Sequence, residues 1–379
     1  MNLIEKRYGN RWRTACWRRH STALHYGGAT SCGLAYLVNA GYTRAAAALS
    51  VILPSAAVLY YFCNRRSKLR ARDLIVITGC NSGLGYSLAM HCRAQGATVL
   101  AGVRKISEAE LTKTAAIEAL EKKGVIVREL DITDGTSIQR FGEGIKKLMK
   151  EQQLMLHALV NNAGVMVFGE FEWQIDDFAK YQVDVNLLGT MRFTRELLPI
   201  IRKDQSRIIV ISSHCANEPL PGTSIYGATK AALLAWATAL RLEHHKYGIK
   251  VVSFMPGGFV SESNIMRSQR SYFERMQSSM SDEAKEFYGD YFTRYMDYFS
   301  QVSQKTNVEY EENVQVLSDP KIYESFNGAL LDIYPSTIYR CESWRYFFYR
   351  MLFKCTPIWL HDQLVQRFVS GPSWRTNKQ

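Results

Sequence analysis

The stretch LIVITGCNSGLG, residues 74–85, carries an apolar run directly into a turn that holds glycine at 79, 83 and 85. The run is rich in β-branched residues and reads as a strand. The residues after it read as the start of an amphipathic helix. A glycine turn between a strand and a helix lets the backbone come close to a pyrophosphate, because no Cβ stands in the way. The helix N-terminus then offers N–H donors and a partial positive charge. An ordinary tight turn between a strand and a helix has the same composition, so the rest of the chain must decide.

Five further strand-like runs follow: TVLAGV (98–103), VIVREL (125–130), MLHALV (155–160), RIIVIS (207–212) and KVVSFM (250–255). Stretches long enough for helices separate them. This alternation predicts an α/β fold with a doubly wound parallel sheet, helices on both faces and a ligand crevice at the C-terminal ends of the strands. Three fragments fall at those ends: NNAG (161–164), SSH (212–214) and PGGFVS (256–261).

SIYGATK, residues 224–230, sets Tyr226 four positions before Lys230. On a helix the two project from one face. A lysine cation beside a phenol favours the phenolate and makes the tyrosine a better proton carrier. A packed tyrosine and a solvated lysine would show the same spacing. Taken together, TGCNSGLG, NNAG, Ser213, Tyr226, Lys230 and PGG resemble the short-chain dehydrogenase/reductase family over about residues 73–262.

The resemblance implies a Rossmann-like NAD(P)-binding domain and a catalytic set of Asn186, Ser213, Tyr226 and Lys230. Ser212 would then be a structural neighbour, and Asn186 would anchor water that refills the proton. It implies dinucleotide contacts from Gly79, Asn81, Ser82, Gly83, Leu84, Gly85, Asp131, Ile132, Asn162, Ala163, Gly164, Pro256, Gly257 and Ser261, as well as from Tyr226 and Lys230. Asp131 matches the position that meets the adenine, and Ser261 the position near the carboxamide. Dinucleotide folds usually select NAD with a carboxylate at the end of the second strand. Val103 and Arg104 stand there instead. A guanidinium can pair with a 2′-phosphate, so NADP(H) is expected over NAD(H).

Charge is distributed unevenly along the 379 residues. Residues 1–72 hold 12 Lys/Arg and one acid, Glu5, whereas residues 73–379 hold 35 Lys/Arg and 34 Asp/Glu. A nearly neutral body argues against nucleic acid as a partner. Residues 45–63 carry no charge and are closed by RRSKLRAR. As a helix they would span about 28 Å, close to a bilayer core. The expectation is a membrane anchor there, with 21–43 as a second candidate span, and a location at the endoplasmic reticulum. The Arg-rich, acid-poor start also fits a mitochondrial presequence. Eight cysteines without a C-x-x-C pair, and histidines without ligand spacing, offer neither a disulfide framework nor a metal site.

The expected organisation is a basic N-terminal region over 1–72, a dinucleotide domain over 73–315 with a substrate lid at 260–305, and a helical extension over 316–379. In the lid, aromatics at 287, 288, 291, 292, 295, 298 and 299 recur at helical spacing. They would form either core or the wall of an apolar pocket. The stretch 344–368 mixes aromatics with basic residues and would dock on the domain or rest on a membrane surface. The quoted motifs look most like the steroid, retinol and hydroxybutyrate dehydrogenases of the family. The expected reaction is hydride transfer between NAD(P) and a lipophilic secondary alcohol or ketone such as a steroid, sterol, ecdysteroid or retinoid. Alternatives are a mitochondrial short-chain hydroxyacid dehydrogenase and an idle dinucleotide-binding scaffold; a homo-oligomer is compatible with each.

Overall fold

The computed structural model describes residues 43–63, 65–104, 115–258, 262, 264–312, 315–342, 344–368 and 371–374. The chain divides into two compact units, Met1–Arg65 and Arg66–Gln379. In the first, helix α1 covers Thr43–Cys63, with Pro54 inside it. It coincides with the apolar run 45–63. Among the described residues, however, no helix is long and apolar enough to cross a membrane. The expected anchor is therefore met as a helix and not as a span, and the second candidate, 21–43, lies almost wholly outside the described residues.

The second unit is built on seven parallel strands: β1 Asp73–Thr78, β2 Thr98–Val103, β3 Ile126–Glu129, β4 Met155–Asn161, β5 Arg207–Ile211, β6 Lys250–Met255 and β7 Ile338–Arg340. Their order is β3-β2-β1-β4-β5-β6-β7, and every pairing is parallel. The order reverses between β1 and β4, which opens the crevice at their C-terminal ends. The six strands read from sequence agree with β1–β6 to within about two residues at each end, the usual uncertainty of an element boundary.

Alternation along β1 separates two cores. Ile75 and Ile77 pack on α2 (Gly83–Ala94), α3 (Ala115–Lys122) and α10 (Pro320–Leu331) through Leu84, Leu88, Leu120 and Phe326. Leu74 and Val76 face α4 (Gly135–Gln152), α6 (Thr190–Asp204) and α7 (Ser224–His244) through Ile145, Phe193, Leu197 and Leu233. Caps fix where helices begin. The Asp134 side chain accepts from the Thr136 and Ser137 amides, and Asp319 from the Lys321 amide with Pro320 at the first turn. Each cap satisfies donors that a helix start leaves open. The stretch 316–379, expected as a helical extension, thus supplies a core helix and the last strand of the sheet, besides α11 (Trp344–Cys355) and α12 (Ile358–Phe368).

Between α5 (Asp176–Val183) and α6 the chain makes a π turn, Asp184–Gly189. A Cβ on Gly189 would sit 2.7 Å from the Ile132 carbonyl, so glycine lets this turn lie against the loop after β3. Over the end of the sheet lie α8 (Gln269–Ser279) and α9 (Asp282–Glu312), the latter broken at Gly289, where φ is 48°. They form a third apolar cluster with Met166, Val167, Trp173, Phe178 and Tyr226. Of the seven aromatics in the lid, Tyr288, Tyr291, Phe292, Tyr295 and Phe299 are buried here, whereas Phe287 and Tyr298 are 65% and 38% exposed. The Trp173 ring is their hub, with centroids 5.0–5.7 Å from four of them in T-shaped contact.

Candidate active site

The glycine turn is held from both sides. The Thr78 hydroxyl accepts from the Asn162 and Ala163 amides at 3.0 and 2.9 Å. In return the Asn162 side-chain amide donates to the carbonyls of Thr78 and Gly79 at 2.8 and 3.0 Å. Gly79 has φ of 71°, and a Cβ there would lie 2.8 Å from the Ala163 Cα; one on Gly85 would lie 2.3 Å from the Gly79 carbonyl oxygen. These two positions exclude any side chain. Asn81 clasps the end of β2 by donating to the Arg104 carbonyl and accepting from its amide, both at 2.8 Å. Ser82 precedes α2 without a side-chain capping bond, and no acid stands in the first turn. This helix start is suited to an anion.

The sheet and α7 bring Ser213, Tyr226 and Lys230 together. Ser213 leaves β5 in extended conformation and opens a short 3-10 turn, His214–Ala216, where its hydroxyl accepts from the Cys215 amide at 3.2 Å. Tyr226, only 7% exposed, belongs to the lid cluster. Its phenol lies beside the Ser213 hydroxyl. Lys230 lies one turn along α7, with its Nζ 5.8 Å from the Tyr226 ring centroid and donating to the Ile211 carbonyl at 3.1 Å. Ser212, buried, donates instead to the Lys230 carbonyl at 3.1 Å. The neighbouring serines thus divide their tasks, one facing Tyr226 and the other tying β5 to α7.

Burial governs the titration of both groups. It pushes the Tyr226 phenol above its ordinary range, an effect reinforced by Cys215 and opposed by the Ser213 hydrogen bond. The lowering expected from Lys230 is not met, since desolvation penalises the phenolate and the shift is upward. The same desolvation lowers Lys230 to about 8. At neutral pH the tyrosine is a proton donor.

Asn186 sits in the π turn, fully buried. Its side chain accepts from the Val165 amide at 2.8 Å and donates to the Val165 carbonyl and the Thr229 hydroxyl at 2.9 and 3.1 Å. Its carbonyl accepts from Thr190. The side chain therefore braces the loop after β4 against α7. Gly164 lies beside it, where a Cβ would come 3.3 Å from Asn186 Oδ1 and 3.4 Å from Lys230 Nζ.

The remaining predicted residues line the crevice at greater remove. Asp131 uses one carboxylate oxygen on the Thr133 amide and hydroxyl, and Ile132 is buried beneath it. The Arg104 guanidinium donates to the Tyr181 hydroxyl at 2.9 Å. Pro256 and Gly257 follow β6, and Gly257, at φ of 81°, leaves no space for a side chain beside the Cys341 carbonyl. Ser261 lies outside the described residues. Three contributors were missed in the sequence: Thr78, Thr229 and Cys215. Each stands within two residues of a predicted one, and that proximity was the available signal.

A family profile described as short chain dehydrogenase matches residues 73–271. The mitochondrial D-beta-hydroxybutyrate dehydrogenase of Mus musculus is 31% identical over 59% of this chain, which spans 64% of that protein's length. Retinol dehydrogenase 7 of Mus musculus is 33% identical, covering 74% of this chain and 84% of its own. Estradiol 17-beta-dehydrogenase 2 of Mus musculus is 34% identical, covering 55% and 53%. A solved short-chain dehydrogenase from Streptomyces avermitilis overlays with a TM-score of 0.53 at 22% identity, covering 78% of this chain and 99% of that one, a likeness of fold.

The lowered Lys230 makes a thermodynamic prediction. Below about pH 8 the amine is protonated in both the folded and the unfolded chain, so its burial cost is fully present. As pH rises from about 8 to about 10.5 the folded state loses the proton first, the unfolded chain binds more protons, and stability rises. Urea unfolding of wild type and Lys230→Met should give a difference that is flat below pH 7. Across that window it should move toward the wild type by up to about 3 kcal/mol. A difference independent of pH would mean that the ammonium is not desolvated.

Proposed function

The chain belongs to the short chain dehydrogenase family, and from that premise we propose that it transfers hydride between a nicotinamide dinucleotide and a lipophilic secondary alcohol or its ketone. The observation that carries the reading is the convergence of Ser213, Tyr226 and Lys230 beneath an apolar lid. When bound, the nicotinamide supplies the hydride acceptor or donor. Every other part falls to side chains of this protein. Tyr226, neutral at physiological pH, gives its proton to the carbonyl oxygen in reduction and recovers it from the hydroxyl in oxidation. Ser213 holds the same oxygen. Lys230 Nζ stands 5.8 Å from the centroid of the phenol ring, and its lowered pKa suits it to hand on the proton.

The dinucleotide fits the crevice. Gly79 and Gly85 are compressed to where no Cβ enters, and the uncapped start of α2 faces the switch point. Asn162 is spent on bracing that turn, so the pyrophosphate is left to the backbone and helix N-terminus. Asn81, Ser82, Gly83 and Leu84 shape the same turn, and Asp131, Ile132, Ala163, Gly164, Pro256 and Gly257 border the adenine-to-nicotinamide path. Arg104 at the β2 end favours NADP(H).

For the substrate, the side chains clustered with Tyr226 are methionine, valine and aromatics. They favour a steroid, sterol or retinoid over a small hydroxyacid, whose carboxylate would call for a cation. Relatives named for estradiol and retinol support this class. The uncharged run 45–63 with its basic flanks supports attachment to a membrane.

Tyr226→Phe removes only the proton-carrying hydroxyl and should lower turnover by a factor of about 10³ or more, while dinucleotide binding stays within about twofold. Near-wild-type turnover by this variant would refute the assignment. For Arg104→Ala, fluorescence titration should register a loss of about 1.5–3 kcal/mol in NADP(H) binding and almost none for NAD(H). Equal losses for both dinucleotides would show that Arg104 does not read the phosphate.

A further inference from the structure

Residues 340–342 leave β7 at the same edge of the sheet from which Ser213 leaves β5. The Cys341 amide donates to the Met255 carbonyl at 2.9 Å, which continues the sheet pairing past β7. This brings Glu342 against the catalytic turn. Its side chain is only 8% exposed. Arg350 Nε of α11 bonds both carboxylate oxygens at 3.0 and 3.1 Å. Arg340 Nε stands 3.7 Å away, and so does Nδ1 of His214, the residue directly after Ser213. The His214 ring also lies against the backbone of Cys341. At the other end of the turn, His361 of α12 lies 3.5 Å from Glu218. The turn that begins with Ser213 is thus held at both ends by the C-terminal segment.

We propose that Glu342 is a positioning residue, which keeps the Ser213 hydroxyl on Tyr226 by fixing His214 through its buried carboxylate. The inference rests on the dehydrogenase reading for its effect on rate, though not for the placement of the turn. The charges explain the role. Arg340 and Arg350 both face the pocket that holds the His214 imidazole, and the carboxylate is what neutralises them. Burial and the two guanidiniums keep the imidazole neutral against the pull of the Glu342 carboxylate. Without it, two like charges and an imidazole would share a site of low dielectric, and the turn would move away. A buried ionic cluster of this kind adds little net stability. Its use is to specify geometry. Ser213 and Cys215 would shift together, because the Cys215 amide donates to the Ser213 hydroxyl inside the same turn.

The test uses the full-length protein and two readouts. Iodoacetamide labelling followed residue by residue reads the turn without any substrate, since Cys215 is half-buried in it while Cys80 and Cys92 lie in the core. Glu342→Gln should speed Cys215 alkylation by about tenfold and leave Cys80 and Cys92 unreactive; Glu342→Asp should stay within about twofold of wild type. Turnover is then measured with whichever of estradiol, retinol or D-3-hydroxybutyrate the wild type oxidises. Glu342→Gln should lower kcat by about tenfold or more with KM within about twofold, and should cost less than about twofold further in a Ser213→Ala background. Unchanged Cys215 labelling, exposure of Cys80 and Cys92 as well, or equal kcat losses in both backgrounds would overturn the proposal. If wild type oxidises none of the three alcohols, the dehydrogenase reading fails, and the labelling still decides whether Glu342 holds the turn.

Discussion

Everything in the second unit depends on two strands ending side by side with no space between their exits. Where β1 and β4 finish, four hydrogen bonds join Thr78 and Gly79 to Asn162 and Ala163, and Gly79 comes so close to Ala163 that no Cβ fits. The interlock fixes the strand order at its reversal and aims the start of α2 at the crevice. It also brings bare backbone, with no Cβ, to the turn before α2. The geometry of the phenol and the amine on α7 follows from the same sheet, because Ser212 and Lys230 tie that helix to the end of β5.

Most of this frame was legible in the chain. Six apolar runs with helices between them are a strong periodic signal, and the fragments at strand ends point to the crevice. The spacing of Tyr226 and Lys230 relates them across one helical turn, and the family resemblance singled them out as a pair. What the residues do to one another was less accessible. The spacing suggested that Lys230 lowers the tyrosine, but burial decides its titration, and that burial comes from the apolar cluster Tyr226 shares with α8 and α9. Asn186 was singled out by the same resemblance, and its bonds to Val165 and Thr229 depend on a π turn that no local pattern announced.

The part beyond residue 315 was the least legible, for a physical reason. β7 has only three residues and therefore no alternation to read. Phe326 and its neighbours on α10 are buried by a sheet assembled far earlier in sequence. Glu342 is equally silent in the chain, one acid in a basic, aromatic stretch, until β7 carries it to His214. The lid shows the opposite outcome. Its aromatic stripe was visible, but whether it is core or pocket wall needed Trp173, which comes from more than a hundred residues upstream and draws most of the stripe inward.

The account stands on one claim, that the buried tyrosine serves a lipophilic alcohol. The direct measurement is formation of reduced dinucleotide by the purified protein, with estradiol, retinol and D-3-hydroxybutyrate compared at equal concentration. The account predicts kcat/KM for estradiol or retinol at least about tenfold above that for the hydroxyacid, the discrimination an apolar pocket provides against a charged group. Faster oxidation of D-3-hydroxybutyrate, or no turnover of any of the three, would contradict it.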